Sequence, residues 1–204
     1  MKALGLATIA PLWITACIGM AVAEAGNETC GGKQATMVGT DRADLMFGSQ
    51  ADEVFVGRGG RDVMHGGGGH DLICGNEGSD RLVGGAGSDR LWGGGGRDWL
   101  ELARVDGGAT IYLETLNGTW GSSRAPGAGR DRLFGIENVL GTKFGDRIVG
   151  SATRNELVGI GGRDKLRGRD GDDLLRGGYN RDSGWGGHGR DRCRSIETRT
   201  GCEH

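Results

Sequence analysis

The chain has 204 residues, including 45 Gly and only 2 Pro, and its formal net charge of -2 is close to neutral. The 25 Lys and Arg are dispersed among 27 Asp and Glu, so the sequence offers no basic stripe for nucleic acid. Aromatic residues make up only 5% of the chain, which excludes a thick hydrophobic core. This composition favours a repeat array with a thin, regularly repeated buried row.

The N-terminus predicts a secretory signal peptide at residues 1–25. A charged residue precedes an apolar stretch that ends in small residues, and this ending favours cleavage near Ala23 or Ala25. The mature protein would then be secreted or held at the cell surface, with no membrane span. Two alternatives stay open. The apolar run is long enough to act as an uncleaved membrane anchor, and Cys17 lies in a segment that loosely resembles a lipoprotein processing site.

An N-terminal segment, residues 26–38, follows the signal peptide and contains Cys30. Without the cysteine of the signal peptide the chain has four cysteines, an even number that suits disulfides in an oxidising compartment. Cys193 and Cys202 are close in sequence and are expected to pair, which leaves Cys30 for Cys74. A zinc site would need closer cysteine spacing than this sequence has.

A nine-residue repeat fills most of the remaining chain. Seven units cover residues 39–101 as a first block, an insert covers 102–125, and seven further units lie within a second block at 126–194. Thirteen of the fourteen units begin with Gly, and twelve of the seventeen Asp in the chain fall on position six. Position eight is apolar in nearly every unit. Each unit therefore predicts a polar turn followed by a short strand, such as RLV or RLW, with one inward side chain.

The turn has the chemistry of a calcium site. Gly at positions one, two and four permits a positive φ and a tight bend that turns carbonyl oxygens toward a common point. Position six adds a carboxylate, and a site of carbonyl and carboxylate oxygens without His or Cys suits Ca²⁺. Stacked carboxylates repel one another, whereas a divalent cation between them attracts both. Calcium binding is therefore expected to be coupled to folding.

The units resemble the GGxGxDxUx motif of RTX (hemolysin-type) calcium-binding repeats, a motif that is itself a known sequence signature of β-helix repeats. The resemblance implies an all-β protein, a right-handed parallel β-roll (solenoid) of nine-residue repeats in two segments. Two successive units would make one turn, with each Ca²⁺ between the loops of units n and n+2. The residues that the resemblance assigns to calcium are Asp62, Asp71, Asp80, Asp89, Asp98, Asp164, Asp173, Asp182 and Asp191, with Gly60, Gly69, Gly78, Gly87, Gly96, Gly162 and Gly171 at position four.

Several units depart from the motif, and their loops are weaker candidates for calcium. The residues that replace Gly at position four or Asp at position six are Arg42, Ala51, Phe144, Thr153, Asn180, Glu53 and Asn155. Arginines are also frequent at positions five and seven. We expect them to neutralise part of the Asp ladder and so to weaken the calcium dependence of the fold.

The insert contains alternating apolar residues, Ile111 and Leu113, and is predicted to be a structural joint between the two segments. The tail, residues 195–204, carries Cys202. A disulfide to Cys193 would clamp this tail as a cap over the last coil and cover an open sheet edge.

Catalytic motifs such as HExxH and GxSxG do not occur in the sequence, which argues against an enzyme. The leading prediction is an extracellular calcium-binding protein with a structural or binding role. The alternative is an adhesin or carbohydrate-binding module, with a cell-surface glycan or the extracellular matrix as its partner. It would use exposed Arg residues and tryptophans, namely Trp92, Trp99, Trp120 and Trp185. A third possibility, a β-helical polysaccharide lyase or epimerase, would need a cluster of Arg, Lys, Tyr or His on one face, and the lysines are too dispersed to suggest one.

Overall fold

The structure is a computed structural model that describes residues 27–102, 104–114 and 120–203. The predicted signal peptide and Cys17 lie outside the described residues. All regular structure in the described residues is β-strand.

The N-terminal segment and the first block form eleven strands, here numbered in chain order. They are β1 (Thr29–Cys30), β2 (Lys33–Gln34), β3 (Met37–Val38), β4 (Leu45–Phe47), β5 (Val54–Val56), β6 (Gly59–Gly60), β7 (Val63–Gly69), β8 (Leu72–Gly78), β9 (Arg81–Gly87), β10 (Arg90–Gly96) and β11 (Trp99–Glu101).

The insert and the rest of the described chain continue this series. The strands are β12 (Thr110–Glu114), β13 (Trp120–Ala125), β14 (Gly129–Phe134), β15 (Asn138–Leu140), β16 (Arg147–Val149), β17 (Glu156–Gly161), β18 (Lys165–Asp170), β19 (Leu174–Tyr179), β20 (Ser183–His188), β21 (Arg192–Arg194) and β22 (Thr198–Thr200).

Two long sheets form the walls of a parallel β-roll. The first sheet runs in the order β22-β20-β18-β16-β12-β13-β14-β10-β8-β5-β3, and the second sheet in the order β21-β19-β17-β15-β11-β9-β7-β4. Within each block, neighbouring strands pair residues 18 positions apart, as in Leu91 with Ile73 and Leu175 with Leu157. One turn therefore contains two nine-residue units, and the predicted β-roll is confirmed.

The interior is formed mainly by position-eight side chains, one from each unit as predicted, and the two sheets contribute them alternately along the chain. Met64, Ile73, Leu82, Leu91 and Leu100 are completely buried, and the row continues through the second block. Burial of each such side chain contributes about 1.5–3 kcal/mol relative to an exposed one. A coil has only a few of these residues, so the array is stable only when many coils stack.

The strands are longer than the sequence indicates. The triplets RLV and RLW open the seven-residue strands β9 and β10, which continue through position four of the next unit. The Gly-rich segment extends the ladder because it stacks on the same segment of the next coil, as Gly85 does on Gly67. Strand propensity alone does not predict this extension of the strands, because Gly is normally depleted in strands.

The insert joins the two segments into continuous sheets. Strand β13 pairs antiparallel with both β12 and β14, whereas β14 pairs parallel with β10 and β12 pairs parallel with β16. In the second sheet β15 lies between β11 and β17, all parallel. The position-six ladders therefore extend from one block toward the other.

Both predicted disulfides are present. Cys30 and Cys74 have Cα atoms 5.8 Å apart and attach the β1–β2 hairpin to the outer face of the first sheet, where Val38, Val54 and Leu72 form a second small core. Cys193 joins Cys202, with Cα atoms 5.7 Å apart. The two bridges thus secure the two ends of the roll.

Candidate calcium sites

The position-six aspartates stack into ladders along the two edges of the roll. In each pair the backbone N–H of one Asp donates to the Oδ1 atom of the Asp one turn later. Asp62 donates to Asp80 over 2.9 Å, and Asp80 donates to Asp98 over 2.8 Å. The same bond, at 2.9 Å, joins the pairs Asp71 and Asp89, Asp164 and Asp182, and Asp173 and Asp191. These are the stacked pairs that the resemblance implies.

The second carboxylate oxygen of these residues has no hydrogen-bond donor. Among the described residues, nine buried Oδ2 atoms are unpartnered, and they belong to Asp62, Asp71, Asp80, Asp89, Asp98, Asp164, Asp173, Asp182 and Asp191. Their side chains are 0–3% exposed. An unsatisfied buried carboxylate oxygen costs at least about 1–3 kcal/mol, so nine of them together are a strong reason to expect a cation. The same nine aspartates were singled out from the sequence.

Main-chain carbonyl oxygens have to supply the other ligands. In the described residues no three His, Cys, Asp or Glu side chains converge on one point. The turns bring carbonyl oxygens close to the next coil, since the Gly60 carbonyl oxygen would lie 1.6 Å from a Cβ atom on Gly78. A donor set of carboxylate and carbonyl oxygens fits Ca²⁺, and when bound the ion supplies positive charge between two coils.

Position four favours glycine for both conformation and space. Gly78 has a φ of +142°, a region that L-residues rarely adopt, and its missing Cβ leaves room for the neighbouring carbonyl. The seven position-four glycines assigned from the sequence all have positive φ, namely Gly60, Gly69, Gly78, Gly87, Gly96, Gly162 and Gly171. The sequence prediction omitted Gly189, which has the same conformation.

The sequence analysis explained Gly at position one by a positive φ, and this explanation is wrong. Position-one glycines such as Gly75 do not have a positive φ in the described residues. A Cβ atom on Gly75 would instead lie 2.4 Å from the Asp80 Oδ2 atom and 2.4 Å from the Gly93 carbonyl oxygen. Glycine is needed here because the loop closes tightly around the carboxylate.

Four units have a different loop, which we name the Ser/Thr-type loop; they begin at Gly39, Gly48, Gly141 and Gly150. Position two is Ser or Thr, and its N–H donates to the position-six side chain, as Thr142 does to Asp146 over 2.7 Å. The Thr142 hydroxyl donates to Asp146 as well, over 2.9 Å. In the described structure the position-four residues of these loops lack a positive φ, which explains why non-glycine residues are accepted there.

These loops satisfy the position-six side chain without a metal. The sequence grouped Asn180 with the same departures, but Asn180 has a φ of +79° and its unit keeps an unpartnered Asp182 Oδ2 atom. Asn tolerates this left-handed conformation better than most residues. We name the loops that keep an unpartnered position-six Oδ2 atom calcium-type loops, and the unit that contains Asn180 belongs with them.

Thr142→Val should lower the free energy of unfolding by about 1–2 kcal/mol, because it removes one hydroxyl donor from a buried carboxylate and keeps the side-chain shape. Chemical denaturation measures this change, with Thr110→Val on the exposed position of a strand as control. Calcium stoichiometry should stay unchanged. A lower stoichiometry would show that Ser/Thr-type loops bind calcium after all.

Two shortened units continue the ladders, and sequence reasoning missed them. Glu137 accepts the Asp98 N–H over 2.9 Å, and Glu197 accepts the Asp182 N–H over 2.6 Å. Each glutamate follows a buried isoleucine, and Ile196 fills the space beside Gly184, which lacks the usual apolar side chain of position eight. The repeated Ile-Glu pair, once near the start of the second block and once in the tail, is the signal that could have revealed them.

Arginines do not neutralise the ladders by direct contact. The salt bridges in the described residues pair Arg58 with Glu28, Arg81 with Glu101 and Arg176 with Glu156. No position-six Asp takes part in them. The expectation that arginines reduce the calcium dependence therefore has no support from these contacts.

Burial raises the pKa of most ladder carboxylates above the ordinary value of an aspartate. It raises the pKa of Asp62 to about 6 and the pKa of Asp98, Asp164 and Asp173 to about 7, against the opposing effect of the backbone N–H bond. The negative charge of neighbouring carboxylates adds to the increase. Protons and Ca²⁺ therefore compete for the same oxygens.

This competition predicts opposite pH trends with and without calcium. Because the pKa of about 6–7 in the folded, metal-free state lies above the unfolded value near 4, the folded state binds more protons between these limits. In EGTA the melting temperature should fall as the pH rises from 5 to 7.5. The gain from added calcium should be largest at pH 7.5 and shrink toward pH 5. A metal-free protein that becomes more stable from pH 5 to 7.5 would contradict this.

The protein is a parallel solenoid of two sheets with ladders of buried aspartates and Gly-rich turns. These features define a β-roll of the calcium-binding type. The family model of the RTX calcium-binding nonapeptide repeat matches the chain four times, at residues 38–73, 47–82, 75–106 and 158–193, which together cover just over half of its length. The chain belongs to this family, and its repeats bind Ca²⁺. A search of curated proteins finds no significant match to the chain.

Proposed function

We propose that the chain is an extracellular, non-catalytic calcium-binding protein in which Ca²⁺ holds adjacent coils of the β-roll together. The nine unpartnered Oδ2 atoms carry this proposal, because each is buried and faces no hydrogen-bond donor. The ligands that we assign are the nine calcium-type aspartates and the carbonyl oxygens of their Gly-rich turns. Five adjacent pairs result: Asp62 with Asp80, Asp80 with Asp98, Asp71 with Asp89, Asp164 with Asp182, and Asp173 with Asp191.

The extracellular setting is supported by the signal-peptide pattern of residues 1–25 and by two disulfides, which persist in oxidising compartments. The described part of the chain contains no helix with the length and hydropathy of a membrane span. Expression of the full chain in a secreting host, followed by N-terminal sequencing of the medium fraction, tests this. Product that stays cell-bound with an intact N-terminus would contradict secretion.

Melting followed by circular dichroism, in calcium and in EGTA, tests the structural role. A site at 100 times its Kd stabilises the folded state by about 2.7 kcal/mol, so several sites together should raise the melting temperature strongly. Identical melting curves in the two conditions would rule out a structural role of calcium.

A glycan-binding role remains the second candidate, and an aromatic cluster favours it. Trp120 packs against Trp92 and Phe134, with ring centroids 5.2 and 5.5 Å apart, and Trp120 and Phe134 are partly exposed. The other two tryptophans are elsewhere: Trp99 is in the second sheet, and Trp185 stacks under Arg167. A glycan array read with wild type and Phe134→Ala tests this role, and equal signals from both would exclude the cluster.

A further inference from the structure

Five arginines gather at the C-terminal end of the second sheet, although they are dispersed in the sequence. They are Arg154, Arg176, Arg190, Arg192 and Arg194, and they surround a cavity of about 450 Å³ that we name the basic pocket. The 18-residue turn brings them together, since Arg176 pairs in register with Arg194, and Arg192 pairs with Leu174. All five side chains are exposed and therefore accessible to a ligand.

The charge of the basic pocket is largely unpaired. Among the described residues, Arg176 is the only one of the five with a salt bridge, at 3.3 Å to Glu156. Three carboxylates line the pocket. Asp172 accepts the Arg190 backbone N–H over 2.9 Å, Asp173 is buried in the ladder, and Glu203 is exposed. Arginine guanidinium groups thus outnumber the carboxylates around the cavity.

We propose that the basic pocket binds a compact polyanion that carries sulfate or phosphate esters. Guanidinium groups donate paired, charge-assisted hydrogen bonds to such oxyanions, and several can surround one tetrahedral group. The cavity is larger than one ester group, so it accommodates neighbouring esters on the same molecule. No aromatic side chain lines it, which disfavours single-stranded nucleic acid, because bases bind by stacking. It also lacks Lys, His and Tyr, which separates it from the catalytic cluster of a lyase.

Calcium should strengthen this binding. Asp173 lines the basic pocket and forms one of the proposed calcium pairs with Asp191. A divalent cation at that pair offsets carboxylate charge next to the arginines and makes the pocket more positive. This calcium effect rests on the proposed function, whereas the polyanion site itself does not.

Isothermal titration of the chain with a heparin-derived hexasaccharide in calcium, and with inositol hexakisphosphate in EGTA because this phosphate ester chelates Ca²⁺, tests the proposal and distinguishes the two esters. At least one probe should bind. Arg176→Gln combined with Arg194→Gln should weaken that binding at least about tenfold, because two charge-assisted contacts are lost, and neither residue is adjacent in sequence to a proposed calcium-binding aspartate. The matched control is Arg124→Gln with Arg130→Gln, two exposed arginines paired on β13 and β14, and it should change little.

Absence of binding by both probes, or equal weakening in the two double variants, would overturn the site. If the Arg176 and Arg194 variant fails to fold, Arg154→Gln on the adjoining loop carries the same test, with an expected loss of affinity. Repeating the hexasaccharide titration in EGTA should weaken binding. An unchanged affinity there overturns the calcium effect alone, while a failure of calcium to bind at all would be seen separately in a calcium titration.

Discussion

Asp80→Asn should remove two of the five proposed calcium sites at once, because Asp80 lies between Asp62 and Asp98 in one ladder. The amide keeps an oxygen to accept the Asp62 N–H, so the roll remains folded, but the negative charge that faces the metal is lost. At calcium concentrations 100 times the Kd, the loss of two sites should lower the free energy of unfolding by about 5 kcal/mol. Thermal melting in saturating calcium measures it.

Asp146→Asn is the matched control for this substitution. Asp146 is buried at position six as well, but both of its oxygens accept hydrogen bonds from Thr142. The variant should keep all five sites, whatever its stability in EGTA. If Asp80→Asn and Asp146→Asn reduce the calcium count equally, the distinction between calcium-type and Ser/Thr-type loops is wrong.

Gly78→Ala should destabilise the protein by about 3–5 kcal/mol, among the larger effects of a single substitution. The added Cβ would lie 1.6 Å from the Gly60 carbonyl oxygen, at a φ of +142° that Ala adopts only with strain. The coils have to separate to accept it, and the carbonyl is moved away from the calcium site. Denaturation in EGTA isolates the steric part of the effect.

Gly59→Ala provides the control with the same chemical change at position three. Its Cβ would meet only ordinary contacts, at 3.7 Å from the Asp41 Cα atom and 3.8 Å from the Glu77 carbonyl oxygen, and the position has no positive φ. The melting temperature should change by a few degrees at most. A large loss at Gly59, or none at Gly78, would refute the account of position four.

The repeat phase predicted the inward row, and the resemblance to RTX repeats supplied the β-roll and the stacking of the aspartates. A side chain that recurs every nine residues must lie at the same place in each unit, so the inward row that contains Leu82 and Leu91 follows directly. The Asp62, Asp80 and Asp98 ladder follows from two units per turn. The nine aspartates selected from the sequence are the residues with unpartnered oxygens, and each follows a position-four residue with a positive φ, which is glycine in eight units and Asn180 in the ninth. Asp131 also follows such a glycine, Gly129, but the Ser123 hydroxyl donates to its Oδ2 atom.

The alternative loops were not predictable from the motif, because they replace one set of interactions with another. Position two holds the decisive residue: Thr142 satisfies Asp146 internally, and a motif centred on glycine does not record that bond. Asn180 was misgrouped for the opposite reason, since it is not glycine but adopts the glycine conformation. The Gly-Thr and Gly-Ser pairs that open these units are the usable sequence signal.

The clustering of surface charge was also missed, because arginines that are distant in the sequence become neighbours in the roll. Arg176 and Arg194 are 18 residues apart in the chain and are direct neighbours across two strands. In a solenoid, charges should therefore be counted along columns of equal repeat position rather than along the sequence. On that count five arginines surround three carboxylates at the C-terminal end of the second sheet, although the whole chain is nearly neutral.

Isothermal titration of the mature protein with Ca²⁺ at pH 7.5 tests the central claim most directly. The structure predicts five bound ions, one for each adjacent pair of calcium-type loops, and three ions for Asp80→Asn. No binding, or a count that Asp80→Asn leaves unchanged, would contradict the assignment of calcium to the nine buried aspartates.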